Sequence, residues 1–155
     1  MAALSAAVLA AALPNAAQAE STLKIVMSSD LKIVDPVWSS IQISRTHGYL
    51  VYDTLFSVDA DLKPQPQMVE RHTVSADGLE YTFVLREGLA WHDGTPVTAA
   101  DCVASLQRWM PRDTMGQKLL ANLKELVAVD PRTIRLTLSG PYAFVLESLA
   151  KPGGV

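Results

Sequence analysis

The groups with which this 155-residue chain could do covalent or metal chemistry are few: three histidines, one cysteine and scattered acids and hydroxyls. The histidines are His47, His72 and His92. No two of them form a His-x-x-x-His pair, and none is near Cys102 in sequence. A metal would therefore need ligands converging from separate segments. His92-Asp93 has the composition of an acid–base pair. Asp93 precedes Gly94, however, and an Asp in that position serves its own backbone in a turn. Asp59 and Asp61 open like a calcium loop, without the Gly and Glu that must follow at fixed spacing. No Gly-x-Ser-x-Gly elbow occurs, and Gly153-Gly154 is not followed by the Lys and Ser/Thr of a phosphate loop. Cys102 sits at the edge of a helical apolar stripe with nothing adjacent to lower its pKa, so it reads as a small buried residue. Trp38 is different. It lies between Pro36 and Ser39-Ser40, where an aromatic is either a core side chain or a platform for a ligand. These residues favour binding over catalysis.

Composition narrows the classes further. There are 13 basic and 16 acidic residues, a net charge of −3, which excludes a basic nucleic-acid binder. One cysteine excludes a disulfide scaffold and a multi-cysteine zinc module. Hydrophobic residues make up 49% of the chain, but the excess is concentrated at the start. Ala2 to Leu13 is apolar and uncharged, Pro14-Asn15 breaks the run, and Ala17-Gln18-Ala19 is a small-x-small site before Glu20. This is the pattern of a secretory signal peptide over residues 1–19, with cleavage expected between Ala19 and Glu20. The first positive charge is Lys24, so the leader reads as incomplete at its N-terminal end. Glu20 in place of Cys argues against a lipid anchor. No later apolar run reaches about 20 residues, so the exported chain is not expected to span a membrane.

The elements that must position these residues follow from periodicity. Leu23 to Met27 reads as a short buried strand. Asp35-Pro36 stops regular structure. Ser39 or Ser40 caps a helix expected to run to about Leu55, with Gly48, Val51, Tyr52 and Leu55 on its buried face. Arg71–Val74 and Glu80–Arg86 form a hairpin around Asp77-Gly78, with Tyr81, Phe83 and Leu85 facing the core. His92 to Pro96 is a turn. Thr98-Ala99-Ala100-Asp101 opens a helix with a capping-box pattern, its stripe Val103, Leu106 and Met110, its end Pro111. Gln117–Leu123 is a second helix. Glu125–Val129 and Thr133–Leu138 form a second hairpin around Asp130-Pro131-Arg132. Phe144 to Ala150 begins a helix. The early strand has no evident partner nearby, and the last five residues close nothing, so the chain reads as a fragment.

The run Tyr81-Thr82-Phe83-Val84-Leu85-Arg86-Glu87-Gly88-Leu89-Ala90-Trp91-His92-Asp93-Gly94-Thr95-Pro96-Val97-Thr98-Ala99-Ala100-Asp101 resembles the signature of family-5 extracellular solute-binding proteins. These are the peptide, dipeptide and nickel receptors of bacterial ABC importers. Asp35-Pro36, Tyr52-x-x-Leu55-Phe56 and Pro66-Gln67-Met68-Val69-Glu70 also look like that family. The chain departs from it at His72, where Trp is frequent, and at Cys102, where an aliphatic is frequent. Both read as packing changes. It departs most in length, since family members run to roughly 500 residues, more than a domain or two.

The resemblance implies an α/β, type II periplasmic-binding-protein-like fold of two lobes, of which only the N-terminal third is present. It implies residues 20–40 as the first segment of lobe I, 41–140 as a family-specific subdomain, and 141–155 as the start of a return to lobe I. It implies capture of a peptide or similar small solute in the periplasm, delivery to an inner-membrane ABC permease, no cofactor, no metal, no nucleic acid, and a monomer at full length. The loop after the first strand would reach the ligand, which maps to Trp38, Ser39, Ser40 and Ile41. Gly88 and Gly94 would serve turns and Trp91 would pack. Two other readings stand beside this one. A secreted hydrolase requires a nucleophile–base or metal constellation. A stand-alone interaction module requires residues 20–155 to fold cooperatively alone.

Overall fold

The structure is a computed structural model that describes residues 23, 24, 26, 27, 29–39 and 41–151. The leader, residues 1–19, and Ser40 lie outside the described residues.

Alternating apolar residues build one sheet. β3 (Val69–Val74), β4 (Glu80–Leu85), β5 (Leu123–Ala128) and β6 (Thr133–Leu138) are antiparallel in the order β3-β4-β6-β5. Phe83 pairs with Ile134 and Leu126 with Leu136, so the apolar side chains of three strands share a face. Phe83, Leu85, Ile134, Leu136 and Leu138 are buried there. The β3–β4 turn closes as its residues require. Gly78 takes φ +70°, and the Asp77 carboxylate accepts from the Leu79 N–H at 3.0 Å. A smaller antiparallel pair, β1 (Phe56–Val58) and β2 (Pro64–Pro66), precedes the sheet. Its loop consumes Asp59, whose carboxylate accepts from the N–H groups of Asp61 and Lys63 at 2.9 Å.

Helices cover the buried face. α2 (Ala99–Trp109) packs on β5 and β6. It starts as the capping pattern requires: Thr98 Oγ1 accepts from the Asp101 N–H, and Asp101 Oδ2 accepts from the Thr98 N–H at 2.8 Å. Trp109 is fully buried, and its indole N–H finds no acceptor among the described residues, so packing alone holds it. α3 (Thr114–Asn122) follows, then α4 (Val145–Leu149), whose Val145 and Leu149 join the same core against β1 and α3. Phe56 meets Phe83 edge-on at 5.7 Å, and the His72 ring meets Phe56 at 5.3 Å. His72 thus packs as an aromatic.

Several elements differ from the sequence expectation. The described residues of the 23–27 segment form no strand, and Leu23 and Val26 are exposed; no described strand lies beside them to pair their backbone. α1 spans Gln42–Val51, its N-cap position is Ile41, and no side chain caps it. Its buried residues are Ile43, Ser44 and Gly48. The Ser44 hydroxyl donates to the Ile33 carbonyl at 2.6 Å, and Gly48 lets Pro36 approach to 3.0 Å of where a Cβ would sit. A polar residue and a glycine therefore make the docking face, while Val51 and Tyr52 stay partly exposed. The helix stops before Leu55 because Tyr52 is already extended. Beyond it, Thr54 bonds to the Phe56 carbonyl and to Gln67. α3 begins three residues early because Asp113 caps it, accepting from the N–H groups of Met115 and Gly116. Trp91 does not pack into the core. It is 47% exposed, held at a turn by its own N–H to the Thr95 carbonyl.

Candidate ligand-binding platform

The loop ahead of α1 is built on Asp35. Its carbonyl accepts from the N–H groups of Trp38 and Ser39, both at 3.2 Å, and its Oδ1 accepts from the Val37 N–H at 2.9 Å. Pro36, whose fixed φ and missing N–H suit the first position of such a turn, follows Asp35, and the chain makes a single helical-type turn there. The Asp35 carboxylate also pairs with Arg108 in the last turn of α2. That bond, helped by the N–H groups of Val37 and Trp38 and opposed by burial, holds the carboxyl below its usual range. Four residues further on, the Arg112 guanidinium lies 4.2 Å from the Trp38 ring centroid. Two arginines therefore clamp the turn onto the end of α2.

The expected ligand residues fall apart in this geometry. Trp38 and Ile41 are both 59% exposed. Ser39 turns inward and is buried, its hydroxyl accepting from the Ile41 N–H at 3.3 Å. Ser40 lies outside the described residues. Arg108 and Arg112 carried no signal in the sequence, because the pair acquires meaning only when Asp35 and Trp38 are brought to it across more than 70 positions. Among the described residues Arg112 has no carboxylate partner. Asp113, its neighbour, is taken by Lys151. Burial works against ionisation of Asp113, but the Lys151 hydrogen bond and two helix N–H groups prevail and lower its pKa. An exposed indole with a free guanidinium on it can stack a planar group and hold an acidic one.

The groups that could have been catalytic are dispersed. His47 lies on α1, His72 in β3, and His92 is exposed on the 92–96 turn. Among the described residues no three His, Cys, Asp or Glu side chains are grouped to hold a metal. Burial pushes the Cys102 thiol up to about 11, the state of an inert core cysteine. Asp93 accepts from the Thr95 N–H and hydroxyl at 2.9 and 2.7 Å, as an Asx turn requires. Among the described residues no helix is long and apolar enough to cross a membrane.

Comparison with known proteins agrees with this architecture. The profile described as bacterial extracellular solute-binding proteins, family 5 middle, matches residues 63–155. A probable peptide ABC transporter periplasmic-binding protein of Sinorhizobium fredii is 44% identical over 139 residues, 90% of this chain and 26% of that protein. The glutathione-binding protein GsiB of Escherichia coli K12 is 31% identical over 144 residues, 92% of this chain and 28% of that one. Among solved structures, AgaA of Agrobacterium tumefaciens R10 in complex with agropinic acid superposes with a TM-score of 0.71 at 33% identity. It is matched over 81% of this chain and 26% of its own. Listeria monocytogenes OppA bound to peptide gives 0.67 at 27% identity, over 78% and 27%. The chain thus spans about a quarter of the length of the relatives it matches.

Proposed function

This chain belongs to family 5 of the bacterial extracellular solute-binding proteins, and from that membership we propose that the protein is the substrate-binding component of an ABC importer, capturing a peptide or similar small solute in the periplasm. Its fold is that of the type II periplasmic-binding proteins, of which it spans a part. The observation that carries the reading is the 44% identity, over 90% of this chain, with a relative named as a peptide periplasmic-binding protein. GsiB, named for glutathione, and AgaA, solved with agropinic acid, widen the candidates to small acidic solutes. Residues 20–40 and 141–155 are assigned to the first lobe and 41–140 to a subdomain beside it. The exposed Trp38 supplies a stacking face, Ile41 is exposed in the same loop, and Ser39 holds the backbone between them. The protein works as a monomer, holds its ligand without turning it over, and hands it to an inner-membrane permease. The leader is removed between Ala19 and Glu20.

The test is calorimetric titration of the full-length protein with short peptides, glutathione and agropinic acid. Saturable binding of one of them, recovered chemically intact, is expected. Trp38→Ala weakens it about tenfold, the scale of a lost aromatic stack. Binding of none sinks the solute reading, and cleavage of the ligand revives the hydrolase. Unchanged binding by Trp38→Ala removes the site assignment and leaves the function standing.

A further inference from the structure

A groove of about 420 Å³ opens between the Asp35 turn, the end of α1, the 89–97 loop and one side of α2. Neither Trp38 nor Ile41 lines it. Its volume is that of a small-molecule pocket, about 300–1,000 Å³. The floor is apolar: Leu55, Met68, Cys102 and Leu106 are all buried beneath it. The mouth carries two aromatic side chains that the fold leaves partly open, Tyr52 at 39% and Trp91 at 47% exposed. Exposed aromatics at the lip of an apolar hollow are the composition of a binding site rather than of a core.

Charge decides what it takes. Three carboxylates, Asp35, Asp53 and Asp101, face one guanidinium, Arg108, with the His92 ring at the rim. Arg108 is spent on Asp35. Asp53 and Asp101 have no cationic partner among the described residues. Asp53 accepts from the Gln67 amide on Oδ1 only, at 2.7 Å, and its other oxygen has no partner among them. Asp101 gives Oδ2 to the helix cap and is also approached by the Trp91 indole N–H, with no cation on it among the described residues. An anion would meet a net negative charge here. A bare metal ion would leave the apolar floor empty.

We propose that this groove is a second ligand site, distinct from the Trp38 platform, for a small organic cation: an ammonium group on an apolar or aromatic body. The body fills the floor over Leu55 and Leu106. The ammonium sits between Asp53 and Asp101 against the faces of Tyr52 and Trp91, which attract a cation through their ring quadrupoles.

The probes are phenethylamine, its neutral analogue 2-phenylethanol and the anion 3-phenylpropanoate, titrated into the full-length protein by calorimetry. Phenethylamine is expected to bind about tenfold more tightly than 2-phenylethanol, the scale of one cation–π contact plus an ion pair, and 3-phenylpropanoate weakest. Asp53→Asn, an isosteric change at an exposed position, should abolish the preference for the amine. Trp91→Ala should weaken all three probes with the fold intact by circular dichroism. Binding of the amine and the alcohol with equal strength, binding of neither, or an unchanged preference in Asp53→Asn would overturn the proposal. A peptide that saturates the protein without displacing phenethylamine confirms two sites. Competition between them refutes the separation.

Discussion

At the scale of single residues, the side chains that matter most are those whose neighbours come from far along the chain. Gly116 is an example. A Cβ there would lie 2.8 Å from the Cα and carbonyl oxygen of Met110, both backbone atoms that cannot swing away. In an open helix Gly→Ala stabilises by about 0.5–1 kcal/mol. Here the clash reverses the sign, and Gly116→Ala should cost about 1–3 kcal/mol, the range for overpacking. A lowered urea midpoint with an unchanged slope would show it; a raised midpoint would mean that α3 shifts freely. Trp38 belongs to the same scale. Its type and its Ser-rich setting were visible in the sequence, but the guanidinium on its ring was not. Ser39 shows the converse. A hydroxyl that looked available to a ligand is spent on the N–H of Ile41 and buried.

At the scale of elements, local chemistry sets α2 and the hairpins, and tertiary contact sets α1. The Thr98–Asp101 capping box satisfies two otherwise orphaned N–H groups. Thr98→Ala should therefore cost about 1 kcal/mol of stability, read as a lower midpoint in urea. Thr98→Ser should recover most of it. The hairpins were legible because Asp-Gly and Asp-Pro-Arg turns flank strict alternation, and register follows from which side chains must be buried. α1 is legible as a helix and Gly48 as part of its buried face, whereas Val51 and Tyr52, expected beside it, stay partly exposed. The buried stripe takes in Ser44 as well as Gly48, and a hydroxyl is not what an apolar tally seeks. They are buried because Ile33 offers a carbonyl and Pro36 needs room.

At the scale of the whole molecule, ionised aspartates tie segments together. Asp35, Asp101 and Asp113 all have carboxyls held below their usual range, by the Arg108 bond, by the Thr98 hydroxyl and N–H, and, against burial, by Lys151 with helix N–H groups. A lowered folded pKa means that the unfolded chain binds protons more readily. The stability these groups contribute is present in full above the unfolded carboxylate pKa and is lost as pH falls through the folded values. The urea midpoint should be flat from neutrality to about pH 5 and fall below about pH 4, where unfolded carboxylates protonate. Asp101→Asn should flatten part of that fall. A midpoint that does not move between pH 5 and pH 3 would show that these contacts contribute nothing. Asp113–Lys151 also fastens the last described residue to the α2–α3 corner, and Val145 and Leu149 just before it pack in the described core.

The sequence by itself determined the family, the two hairpins, the capped helix and the apolar set of the core. Each rests on interactions a few residues apart: a glycine with positive φ, an acid three places after a threonine, alternation with period two. The tertiary structure decided where α1 docks, that Trp91 stands open and Ser39 closed, that Arg112 meets Trp38, and that Asp53 and Asp101 share one groove. Those facts depend on contacts between segments tens of residues apart, whose geometry no local pattern encodes.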